Sequence, residues 1–212
     1  MCEVYPKRVA SLCLLMQLVG FTTIPLAVGL AIACGIYKYG STAAYDKKIA
    51  TAVAHDGHWI YLAVVVFGRL VALINTYPMS WKGKVMRMKS GNLRSNMYIY
   101  KQVGDKAADN AVVLEDGGDV GGYNRANRSL HHMVETFGVL VVGLALAGAV
   151  FPFPVFVLTC LFAVGRVMHQ VGYTTGYGSH GLGFMVANMI ALNALEGLCL
   201  LVALKGFGVT VV

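Results

Sequence analysis

Apolar residues in this chain come in long runs separated by short polar punctuation, not in alternation. A helix needs roughly 20 mainly apolar residues to cross the hydrocarbon core of a bilayer. Five such spans can be drawn: about Val9 to Tyr37, His58 to Tyr77, Arg125 to Val150, Pro154 to Tyr173 and Leu182 to Leu204. The first is longer than the minimum and carries Pro25, so it is expected to tilt or to kink there. It is also longer than the apolar stretch of a signal peptide, about 7–15 residues, and reads as a retained transmembrane helix behind Lys7 and Arg8. "FPFP", Phe151 to Pro154, reads as a tight turn between the third and fourth spans. The pattern predicts an all-α integral membrane fold with no aqueous domain large enough to fold alone. Residues 1–50 form a first helix with its connector. Residues 51–212 form four helices interrupted by a polar loop over 78–123.

That loop divides by charge. Lys82, Lys84, Arg87, Lys89, Arg94 and Lys101 come first; Asp105, Asp109, Glu115, Asp116 and Asp119 follow. The lysine and arginine excess places the loop on the cytoplasmic or matrix side, against lipid headgroups or solvent. Five spans then put the N-terminus on the same side, with Lys38, Lys47 and Lys48 opposite. "GGDVGG", Gly117 to Gly122, reads as a flexible turn lacking the spacing of a calcium or phosphate loop.

Composition agrees with the spans. The chain is 57% hydrophobic and only 13% charged, with a mean hydropathy of +0.65. A soluble domain carries about 25% charged residues. The net charge is +7, but the basic residues cluster in one inter-helix segment, which fits membrane orientation better than nucleic acid. Five cysteines, Cys2, Cys13, Cys34, Cys160 and Cys199, show no CxxC pair and no metal-ligand spacing, so they read as small apolar residues.

Candidate chemistry lies at the third span. On a helix of about 100° per residue, Arg125, Arg128, His132 and Glu135 fall on one stripe about 80° wide. Such a stripe facing lipid would cost about 2.5–3.5 kcal/mol per central charge, so it is expected to face protein or a wet cleft. Arg166, His169 and Tyr173 repeat the spacing in the fourth span, with Gln170 beside them. Arg69 lies within the second span, and Asn188, Asn193 and Glu196 within the fifth. The expected arrangement is a bundle whose inner faces share these groups, with Arg69 paired to Glu135. Two readings are open: buried ion pairs that set helix register, or an anion-binding cleft, since four arginines face two carboxylates.

These segments resemble the membrane-associated proteins in eicosanoid and glutathione metabolism, the MAPEG family. There R-x-x-R-A-H-x-N-x-x-E opens one helix and G-R-x-x-[YH]-x-x-G-Y closes a later one. This chain has "RANRSLHHMVE", Arg125 to Glu135, and "GRVMHQVGY", Gly165 to Tyr173. "EDGGD", Glu115 to Asp119, is similar to the G-D-G-G element of bacterial-type members. The resemblance covers about residues 55 to 204 and leaves the first span extra. It implies a four-helix unit that trimerises, with sites between subunits that bind glutathione and, in catalytic members, activate its thiol.

Carried over by position, Arg125, Arg128, Glu135, Arg166 and Tyr173 match glutathione-contacting or site-structuring residues, with Arg69 as a neighbour. Leu130 stands for the usual histidine, His132 for an asparagine that contacts the tripeptide, and His169 for a tyrosine. In the eicosanoid-synthase branch a thiolate-stabilising arginine follows the tyrosine by seven residues; here that position is His180, the candidate catalytic residue.

Three function classes follow. One is a glutathione-dependent transferase or peroxidase acting on lipophilic electrophiles. Another is a non-catalytic accessory subunit of a larger membrane complex. The third, a transporter or channel, lacks the paired repeats with broken helices that would mark it. The implied partners are membrane lipid and a homotrimer or larger complex. The endoplasmic reticulum and the mitochondrial inner membrane suit the sequence equally.

Overall fold

The computed structural model describes residues 7–86, 97–104, 111–176 and 180–210, with side chains from residue 16 to residue 83 in the first stretch. Arg87, Lys89, Arg94, Asp105, Asp109 and Cys2 lie outside the described residues, as do the side chains of Lys7, Arg8, Cys13 and Lys84. Five helices are long and apolar enough to cross a membrane, as expected of a multi-pass membrane protein. Apolar side chains at Ile24, Val134 and Leu146 are more than half exposed, which suits a surface facing hydrocarbon.

The first helix, α1, runs Lys7–Tyr39 and keeps Pro25 inside it. Only Leu18 and Thr22 are buried among its described side chains, so it lies against the outside of the bundle. Pro25 has no N–H, and the carbonyl one turn earlier loses its in-helix donor. That carbonyl is Phe21's; at the next one, Arg69 reaches across from α3 and donates to the Thr22 carbonyl oxygen. A short helix, α2 (Thr42–Val53), follows; the hydropathy pattern gave no sign of it. The chain then reverses through His55 and Asp56, both in the left-handed region (φ 54° and 65°).

Helix α3 spans His58–Met86, nine residues beyond the expected end at Tyr77. Pro78 does not stop it. Thr76 Oγ1 donates to the Ala72 carbonyl at 2.6 Å and Ser80 Oγ to the Thr76 carbonyl at 3.3 Å, holding the turns on either side of the proline. Further along, the Trp81 indole fills the space left by Gly122, where a Cβ would come within 2.8 Å of the ring.

Helix α4 spans Gly118–Gly148, so most of the expected "GGDVGG" turn is its first turn. Gly118 enters the helix at φ +55°, a conformation glycine adopts without penalty. Between α3 and α4 stands an antiparallel hairpin, β1 (Tyr100–Val103) and β2 (Ala111–Leu114), with Tyr100 opposite Leu114. The fold is therefore not purely helical. Two strands alone are marginal in water, and the first turns of α4 supply what is missing. The buried Asn124 carboxamide acts as a surrogate peptide group: its Oδ1 accepts from Ile99 N at 2.9 Å, and its Nδ2 donates to the carbonyls of Ile99 and Glu115, each at 2.7 Å. Asn127 adds a bond to the Met97 carbonyl at 3.1 Å.

Lys101 closes the hairpin base against Asp116 (2.9 Å) and Glu115 (3.1 Å). Lys101 holds Asp116 below its ordinary range. The Gly117 backbone N–H, then Lys101, does the same for Glu115. Asp116, then Glu115, pushes Lys101 up. Lowered carboxylate values give a contribution present above about pH 4.5 and lost as pH falls through the folded values. A raised lysine value gives one lost only as pH rises beyond about 10.5. Exchange of the hairpin amides, corrected for the intrinsic pH dependence, is expected to stay flat through neutrality and to speed up at both extremes, with the pH dependence reduced in high salt, which screens the pairs. A monotonic profile through this range would contradict the assignment.

The fourth span is α5 (Pro152–Thr175), which begins at the first proline of "FPFP". The fifth is a composite of α6 (Gly181–Phe184), a π-helical stretch over Met185–Leu192 and α7 (Asn193–Gly206). Helices α3, α4 and α5 pack on one another, with the fifth span against α4 and α5. The core runs through Phe67, Ile74, Met133, Phe162, Ala187 and Leu195.

Candidate functional site

The seam between α4 and α5 is built from polar side chains reaching across to backbone carbonyls. Gln170 Nε2 donates to the Ala126 carbonyl at 3.0 Å. Arg166 Nη2 donates to the Ser129 carbonyl at 2.7 Å. Arg125 Nε donates to the Thr174 carbonyl at 3.1 Å, and its Nη1 to the Asp116 carbonyl at 2.8 Å. A helix carbonyl keeps a spare lone pair after its in-helix bond. Arg166 and Gln170 use it at Ser129 and Ala126, and Arg125 binds the Thr174 carbonyl, so side-chain-to-carbonyl bonds tie the two helices.

At this seam four rings converge from positions 132 to 180 in the sequence. His132 stacks on His169 (centroids 5.3 Å apart, planes 27° apart), and His169 stacks on Tyr173 (5.5 Å, 13°). His180, the residue before α6, stands edge-on to both His169 (5.4 Å, 85°) and Tyr173 (4.8 Å, 78°). Phe184 closes the side beside His132 at 5.5 Å. Ser129 Oγ shares a hydrogen bond with His169 Nδ1 at 2.9 Å, and Arg166 Nη1 meets His132 Nδ1 at 2.9 Å. The His180 Nδ1 is buried with no hydrogen-bond partner among the described residues.

The sequence stripe is thus partly assembled as expected and partly not. Arg128 and Glu135 pair at 3.1 Å, with side chains 51% and 53% exposed. They face outward beside the ring cluster, not into the bundle. The expected Arg69–Glu135 pair is absent because Arg69 points at α1 and Glu135 lies on the outer face of α4. Arg125 and Arg166 are occupied by backbone carbonyls and His132, so neither guanidinium opens freely into a cleft. In the fifth span Asn188 is buried, whereas Asn193 and Glu196 are exposed; the inner faces do not share all the polar groups. Sequence reasoning missed Ser129 and Phe184, which fix the rings. Their i−3 and i+4 offsets from His132 and His180 were the available signal.

A cavity of about 220 Å³ lies between α3 and α4, lined by Val71, Asn75, Leu130, Met133, Val134 and Phe137. It opens on the opposite side of α4 from the Arg128–Glu135 stripe and is not part of the cluster.

Compared with known proteins, the chain matches no family model, no curated protein and no solved structure.

Proposed function

We propose that this chain is a MAPEG-like membrane protein that binds glutathione at the His132–His169–Tyr173–His180 cluster and transfers its thiol to lipophilic electrophiles. The observation that supports this reading is the pairing of that cluster with a half-exposed Arg128–Glu135 ion pair. Glutathione is a zwitterionic peptide with two carboxylates and an ammonium. An exposed pair can exchange partners with it: Arg128 takes a carboxylate in bidentate form, and Glu135 takes the ammonium. Surface pairs hold each other weakly, by about 0–1 kcal/mol, so little opposes the exchange. The exposed stripe also leaves room for a neighbouring subunit of a homotrimer to complete the site. The bilayer supplies the second substrate.

A thiol of ordinary pKa about 8.5 is mostly protonated at neutral pH, so transfer needs a donor at the sulfur. The Nδ1 of His180, buried and without a hydrogen-bond partner among the described residues, is the group this chain offers. In the reaction the thiol proton passes to water as the thiolate forms, the sulfur bonds to the electrophilic carbon, and the leaving group departs with the electron pair of its broken bond to that carbon. Calorimetry of the protein in nanodiscs is expected to give saturable glutathione binding, weakened about tenfold or more in Arg128→Ala. Wild-type protein that takes up no glutathione would remove the proposal.

A second reading, a non-catalytic accessory subunit of a larger membrane complex, is favoured by α1. That helix is long and apolar, and its described side chains, from residue 16 onward, lie almost wholly outside the bundle, a surface ready for other transmembrane helices. Extraction in mild detergent separates the readings: a discrete homo-oligomer supports the first, and a stoichiometric assembly with several different chains supports the second.

A further inference from the structure

The His132 ring has one way to hold its proton. Arg166 Nη1 lies 2.9 Å from His132 Nδ1, and a guanidinium has donors but no lone pair to offer. Nδ1 is therefore the acceptor, and the proton of the neutral ring sits on Nε2. Arg166 cannot turn away, because it is fully buried and its Nη2 is held by the Ser129 carbonyl at 2.7 Å. The ring cannot turn either. It is stacked on His169, itself bonded to Ser129, and it is flanked by Phe184. His132 is only half-buried, so a ligand in the cluster can reach it.

Resting on the glutathione reading above, we infer that His132 is the ligand-selecting donor of the site. Its fixed Nε2–H takes a peptide carbonyl or carboxylate oxygen of the ligand, and Arg166 is the positioning residue that sets this polarity. An asparagine, which related motifs place here, carries both a donor and an acceptor and can present either by turning over. His132 presents a donor alone. The site therefore accepts a ligand oxygen at this point and refuses an ammonium or amide N–H, a narrower choice than asparagine makes.

The test has two independent readouts on the full chain in nanodiscs. Long-range ¹H–¹⁵N correlation spectra of histidine-labelled protein, with the His132 signals identified by their loss in His132→Asn, report the tautomer without any ligand. The expected pattern is a neutral ring protonated at Nε2. A ring protonated at Nδ1, or an imidazolium at neutral pH, overturns the inference whether or not glutathione binds. Titration with glutathione is the second readout. His132→Phe is expected to weaken binding about tenfold, the loss of one hydrogen bond, and His132→Asn to recover most of that loss by supplying a donor again. Equal binding by wild type and His132→Phe overturns the donor role. Should wild-type protein show the Nε2 tautomer yet bind no glutathione, the proposed function and the ligand assigned to His132 both fall. The locked tautomer alone is then established.

Discussion

Gly183→Ala is expected to unfold at a temperature several degrees below the wild type and to disperse the ring cluster. A Cβ at 183 would lie 2.3 Å from the His169 backbone nitrogen and 2.8 Å from the Gly165 carbonyl oxygen. Both are main-chain atoms of α5, so no side chain can swing aside to admit it. Gly165 faces the same crossing from the other side, where a Cβ would meet the Ala187 nitrogen at 2.6 Å. The two glycines let the backbones of α5 and the fifth span touch. Close approach through small residues is how helices associate where lipid removes the hydrophobic driving force between them. Overpacking such a contact costs about 1–3 kcal/mol or more, and here the displaced atoms carry His169 away from His180. Gly138 is the control. It lies in α4 with nothing within 4 Å of an added Cβ, so Gly138→Ala is expected to be neutral or slightly stabilising, since glycine in a helix costs about 0.5–1 kcal/mol against alanine. Thermal unfolding in detergent checks both; equal midpoints for the two variants would contradict the crossing.

The crossing also marks where sequence reasoning stops. Span number and order were legible, because a bilayer demands a fixed length of apolar chain and little else in the sequence competes with that signal. Boundaries were not. Pro78 and "GGDVGG" are breakers by local rules, yet α3 and α4 run through them because Trp81 lies on Gly122 and hydroxyl groups hold the turns around the proline. The hairpin was invisible because its anchor, Asn124, is ten residues away from β2 and works through a buried carboxamide. Helical spacing placed Arg128, His132 and Glu135 on one face correctly, but spacing alone does not say which way a face looks. Arg69 shows a different limit. Matching charges suggested a carboxylate, whereas a backbone carbonyl of α1, at Thr22, serves the same arginine.

Arg166→Met is expected to leave the fold as stable as the wild type, or more so, while removing most glutathione binding. Arg166 is completely buried and has no carboxylate at ion-pair distance among the described residues. A buried charge is taken from water at a cost of several kcal/mol, and apolar residues of similar volume often replace such groups with neutral or favourable effect. Little is orphaned by the change. The Ser129 carbonyl keeps its in-helix bond, and the half-buried His132 can move its proton to Nδ1. Methionine fills most of the space left by the arginine stem and adapts its shape to the remainder. If stability is not what Arg166 supplies, its buried charge serves the site. It lies directly behind His132 and sets which nitrogen of that ring donates. Losing a charge-assisted arrangement of this kind costs about 1.5–3 kcal/mol, or about ten- to a hundredfold in affinity. Thermal unfolding and glutathione titration on the same sample separate the two roles. A midpoint more than about ten degrees below wild type would make Arg166 a structural strut, and full binding at an unchanged midpoint would remove it from the site.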